Sequence, residues 1–153
     1  MDYGIVHSKA KKTKVTKVEP DIIQVERYYE NGQLKFKGDY SQMPETLRDE
    51  PVGRKIICEE PFEFVTESYT KEGVSTWYHD NGQIFKRVYY RKGKEDGPME
   101  IYHANGELME QGEIVMGARV GTWKYYNLQG RLYKKDRYYE DGSGSTEEII
   151  NGL

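Results

Sequence analysis

Three short turn signals, Asn81-Gly82, Asn105-Gly106 and Gln129-Gly130, recur at a fixed interval: 24 residues from Gly82 to Gly106 and 24 from Gly106 to Gly130. Other columns keep the same step, among them Gly73, Gly97 and Gly121, then Tyr78, Tyr102 and Tyr126, then Ile84, Leu108 and Leu132, then Tyr90, Ile114 and Tyr138. A period of this length means a stack of like supersecondary units, each too small to bury its apolar side alone. Such arrays present extended surfaces rather than deep pockets. Asn-Gly between alternating apolar residues is a hairpin signal, so the unit is a β-hairpin of about 24 residues. The 14 tyrosines and 16 glycines of the 153 residues suit strands joined by tight turns.

The array predicts an all-β fold: one single-layer, twisted antiparallel sheet of tandem hairpins. Residues 1–20 read as a basic flexible arm, 21–142 as the repeat domain and 143–153 as a flexible tail. An earlier hairpin turns at Asn31-Gly32, and Gly82 lies 50 residues after Gly32, two more than two periods. A degenerate repeat with an insertion is therefore expected at 41–70, its hairpin built from Ile56 to Cys58 and Phe62 to Tyr69 around Glu59-Glu60-Pro61.

Pairing strands across two-residue turns assigns faces, because cross-strand partners share a side of the sheet. One face pairs His79 with Ile84, Trp77 with Lys86, Ser75 with Val88 and Gly73 with Tyr90. Its equivalents are Ile101, Met99 and Ile114, then Tyr125, Trp123 and Tyr138. Mostly apolar, this should be the buried or concave side. The opposite face pairs Tyr78 with Phe85 and Thr76 with Arg87, and continues through Tyr102, Met109, Tyr126 and Tyr133. An aromatic band, Tyr78, Phe85, Tyr102, Met109, Tyr126 and Tyr133, rimmed by Arg87, Lys124 and Lys135, is the candidate partner-binding site. Aromatic residues beside cations are enriched at interface hot spots, while the plainer role for such aromatics is cross-strand packing.

The formal net charge is −3, which provides no general attraction to nucleic acid or anionic lipid. Glu26, Glu100 and Glu113 interrupt the basic positions, so base stacking along the band ranks behind protein binding and no nucleic acid is expected. The single cysteine, Cys58, cannot form an internal disulfide; it reads as a small buried residue in a reducing compartment. The lysine-rich start holds no apolar run of signal-peptide length, and a cytoplasmic location is expected. No nucleophile elbow, phosphate loop or zinc spacing appears, so neither enzyme activity nor a cofactor is expected. His79 and His103 share a repeat column whose other members are Tyr29 and Asn127; two histidines fall short of a zinc site, and a polar ladder along the hairpin ends is expected in its place, with no metal.

The run Gly121-Thr-Trp123-Lys-Tyr125-Tyr126-Asn-Leu-Gln-Gly130-Arg-Leu132 and the following Tyr138-Tyr139-Glu-Asp-Gly142 resemble the MORN-repeat variant of bacterial YwqK-type antitoxin-like proteins. Residues 73–93 and 97–117, and Glu26-Arg-Tyr28-Tyr29-Glu-Asn31-Gly32, carry the same pattern. The resemblance spans about 22–142, with 41–70 departing from it. It implies a twisted sheet of hairpins that binds other molecules, and a protein of antitoxin or immunity type that masks a partner protein; the open edges of such a sheet offer a second route, homo-oligomerisation by strand addition. The alternative it implies is a structural or membrane-proximal scaffold.

Overall fold

In the computed structural model, residues 10–19, 22–41, 55–59 and 70–149 are described. They form eleven strands and no helix: β1 (Ala10–Glu19), β2 (Ile22–Tyr29), β3 (Leu34–Ser41), β4 (Lys55–Glu59), β5 (Thr70–Tyr78), β6 (Ile84–Arg91), β7 (Lys94–Tyr102), β8 (Leu108–Val115), β9 (Ala118–Tyr126), β10 (Leu132–Tyr138) and β11 (Gly144–Glu148). All belong to one antiparallel sheet in the order β11-β10-β9-β8-β7-β6-β5-β3-β2-β1-β4. The expected array of hairpins is therefore present as β2–β3, β5–β6, β7–β8 and β9–β10.

Three boundaries differ from the sequence expectation. The basic arm is ordered from Ala10 as β1, which pairs with β2 along its length and places Thr13 and Val15 in the buried set. The tail is not wholly flexible, because Gly144–Glu148 pairs with β10 as β11. Among the described residues no strand of 41–70 lies between β3 and β5, which pair directly with Ser41 opposite Thr70; β4, the expected first strand of the degenerate hairpin, lies at the far edge against β1. Residues 42–54 and 60–69, including the expected strand from Phe62 to Tyr69, lie outside the described residues, as does the side chain of Cys58, whose backbone pairs with Thr13.

The turns also differ in kind. Each repeat hairpin closes as His79-Asp80-Asn81-Gly82 does: Gly82 N–H donates to the His79 carbonyl and His79 N–H to the Gln83 carbonyl. Gly82 has φ of +87° while Asp80 and Asn81 stay at negative φ, so these are type I turns followed by a glycine bulge, not two-residue turns. Two-residue turns with both residues at positive φ occur between repeats, at Lys92-Gly93 and Met116-Gly117. The extra residue shifts the register at the hairpin ends: Tyr78 pairs with Ile84, leaving Phe85 in a bulge beside the Trp77–Lys86 pair.

Further from the turns the expected pairs hold, Trp77 with Lys86, Ser75 with Val88 and Gly73 with Tyr90, and the face they define is the buried one. Val88, Tyr90, Met99, Ile101, Ile114 and Trp123 form one cluster. Val15, Ile23, Val25 and Phe36 form a second, and Trp77 packs against both. A single layer has no opposing sheet, and long cationic side chains lie over the apolar ones on this face. Lys71 Nζ sits 5.5, 4.8 and 4.8 Å from the ring centres of Phe36, Trp77 and Tyr90, bridging the two clusters. Burial pushes its amine pKa down, with Arg27 and Lys86 adding to the effect. The Arg119 guanidinium lies 3.9 Å from the Trp123 ring centre and pairs with the buried Glu110 at 2.6 Å.

Candidate functional site

The outer face is built from one continuous row of cross-strand partners: Lys14, Glu26, Lys37, Thr76, Arg87, Glu100, Gln111, Lys124, Lys135 and Glu147. Its first part alternates cations with glutamates, apart from the neutral Thr76 between Lys37 and Arg87, so neighbours neutralise one another. Glu26 takes Lys14 at 2.6 Å and Lys37 at 3.6 Å, and Arg87 reaches Glu100 at 3.4 Å. Gln111 donates to the Tyr126 hydroxyl at 3.0 Å. Towards β9 and β10 the alternation stops, and Lys124 stands opposite Lys135.

Tyr78, Tyr102 and Tyr126 occupy equivalent positions at the ends of β5, β7 and β9, next to that row, and all three are half-buried. Burial pushes the Tyr102 phenol pKa up, with the Glu100 hydrogen bond and charge acting in the same direction. The other half of the expected band divides differently. Phe85 and Met109 pack against the inner cluster, a correction that follows from the bulge at the hairpin end, and Phe85 meets the His79 ring edge-on at 5.1 Å. Tyr133, their counterpart in β10, is 47% exposed. The structure thus brings together Tyr78, Tyr102 and Tyr126 with Arg87, Lys124 and Lys135, and removes Phe85 and Met109 from that group. Glu100 and Gln111, which strand pairing in the sequence places opposite each other on this face but which were not counted in the candidate site, lie in the same row.

The histidine column forms the ladder. His79 Nε2 bonds the Tyr102 carbonyl at 3.1 Å and His103 Nε2 the Tyr126 carbonyl at 3.0 Å, while Tyr29 donates to the Tyr78 carbonyl at 2.7 Å. Alongside, Asn31, Asn81 and Asn105 each donate through Nδ2 to the next repeat, at the carbonyls of Asp80, Ala104 and Leu128. These bonds tie each turn to the following one and hold the tyrosine column in line.

One carboxylate gives the outer face a pH dependence. Burial acts to raise the Glu26 pKa, but hydrogen bonds from Lys14 and Tyr28 and the charges of Lys14 and Lys37 outweigh it, leaving the pKa below its ordinary 4.5. A depressed carboxylate stabilises the fold above its unfolded pKa, and that stabilisation disappears as pH falls through the folded value. Glu26→Gln should therefore cost about 1–2 kcal/mol at pH 7, and thermal melts from pH 7 to 3 should show its Tm converging on that of the unaltered protein at the acid end.

Three segments match the MORN repeat variant. They are residues 23–42, 71–92 and 95–115. No curated protein matches the chain. The matched segments coincide with the hairpins β2–β3, β5–β6 and β7–β8, and β9–β10 continues the same columns. MORN repeats are commonly protein- or membrane-binding modules built on a non-catalytic repeat fold. The outer face displays its aromatic and charged side chains in register along the sheet, while the apolar side chains of the inner face form the core. Among the described residues no helix is long and apolar enough to cross a membrane, and no three His, Cys, Asp or Glu residues gather in a way that could hold a metal.

Proposed function

We propose that this protein is a non-enzymatic binding module that covers the surface of a partner protein, in the manner of an antitoxin or immunity protein. The observation that carries this reading is the tyrosine column Tyr78, Tyr102 and Tyr126 on the outer face, flanked by Arg87, Lys124 and Lys135, while the inner face is committed to folding. Aromatic rings with few rotatable bonds and positions fixed by the inter-repeat ladder lose little conformational entropy on binding. The tagged protein, recovered from its native cells at physiological salt, should bring down one protein in stoichiometric amount, and Tyr102→Ser with Tyr126→Ser should lose it. Recovery of the same protein by the double variant would place the interface elsewhere.

A self-associating scaffold is the second reading, favoured by the outer edges of β4 and β11, which pair with no other strand among the described residues. Unpaired edges are templates for strand addition. A sedimentation mass that rises with concentration and is unaffected by the tyrosine substitutions would support this reading over the first.

A further inference from the structure

At the β9–β11 end, the outer face opens into a groove of about 520 Å³, lined by Thr122, Lys124, Lys135, Arg137, Tyr139, Ser145 and Glu147. Its charges are unbalanced. Elsewhere in the row each Lys or Arg side chain has a carboxylate within 3.6 Å, whereas here three cations share one anion, and Lys135 approaches Glu147 only to 4.0 Å. Arg137 lies over the Tyr139 ring at 5.7 Å and makes no ion pair among the described residues. Lys124 likewise has no carboxylate partner among them, and its cross-strand neighbour is Lys135.

The arrangement of the cations indicates the ligand. Lys135 and Arg137 are alternate residues of β10, so they repeat along the strand at about 7 Å. An extended peptide displays the side chains of its own alternate residues at that same interval. A dense polyanion is disfavoured by Glu147 in the groove and by Glu140 and Asp141 in the adjoining turn. We propose that this groove receives an extended acidic segment of the partner protein, with carboxylates at alternate positions on Lys135 and Arg137 and a further one at Lys124. The inference rests on the partner-binding reading above and specifies the chemistry of the partner.

The test is fluorescence anisotropy of the full-length protein with a labelled peptide of alternating glutamate and serine. Saturable binding that weakens with salt is expected, and the glutamine version of the peptide should not bind. Lys124→Glu with Arg137→Glu should weaken binding about tenfold or more, as should the milder Lys124→Gln with Arg137→Gln, while Lys37→Glu at the far end of the row should not. Equal binding by the charge-reversed and unaltered proteins, equal binding of the glutamine peptide, or binding of inorganic phosphate or phosphatidylserine vesicles in preference to the peptide would overturn the proposal. If the cellular partner is lost with Tyr102→Ser and Tyr126→Ser but kept by both groove variants, the groove inference fails while the partner-binding reading stands. If no partner is recovered by any form, that reading fails and the peptide titration still decides the groove.

Discussion

Trp123→Ala should destabilise the protein by about 3–5 kcal/mol, the cost of removing a large aromatic side chain from a core that can collapse only in part. Trp123 is the largest fully buried side chain and sits in the cluster with Val88, Met99, Ile101 and Ile114. It lies directly over Gly112, where a Cβ would run into the indole ring, and Tyr138 meets it edge-on at 6.4 Å. The same contact makes Gly112→Ala damaging from the other side, by about 1–3 kcal/mol through overpacking. Trp123→Phe should be milder, since it retains most of the ring and removes an indole N–H with no acceptor in the structure. Denaturant unfolding of the three variants checks the order; a Trp123→Ala protein as stable as the unaltered one would mean that this side of the sheet is not the core.

Arg119→Ala should cost about 2–3 kcal/mol, somewhat less than breaking a fully buried pair because the guanidinium is about one-third exposed. The loss has three parts: Glu110 is left buried without its cation, the Tyr125 hydroxyl loses the Arg119 hydrogen bond of 3.0 Å, and the cation leaves the Trp123 ring. Replacing Arg119 and Glu110 together by methionine should recover most of the stability, because two apolar groups of similar length leave no orphaned charge. A double variant as unstable as the single one would show that ring stacking, not the ion pair, holds Arg119 in place.

The repeat made the sheet legible. With Gly82, Gly106 and Gly130 at constant spacing, the hairpin array and its buried face could be assigned from alternation alone, and Ser75, Val88, Met99, Ile101 and Trp123 lie on the face so assigned. The misplacement of Phe85 and Met109 has a local cause. Asn81-Gly82 fits either a two-residue turn or a type I turn with a glycine bulge, and only the second leaves an extra residue next to Trp77. β1 carried an alternating pattern in Thr13-Lys14-Val15-Thr16, but its lysines gave it the composition of a solvated arm; of these, Lys14 pairs with Glu26. β11 gave no apolar signal at all, because every one of its residues is exposed and it is held by backbone pairing to β10. The Arg119–Glu110 pair was out of reach for a related reason: it joins adjacent strands whose register depends on a bulge, and a one-residue slip would put the two on opposite faces; Lys124 and Lys135 were legible as an outer-face pair, and it was Arg137 and the strand β11 beside them that were not.

The proposed division of labour gives folding to the inner face and recognition to the outer one. It is tested most directly by measuring Tm and partner capture on the same preparation of Tyr102→Ser with Tyr126→Ser. The expected result is a cooperative melt within about 5 °C of the unaltered protein, as suits half-exposed residues outside the core, together with loss of the captured protein. A variant that still melts normally and still captures the partner, or one that fails to fold, would contradict the division.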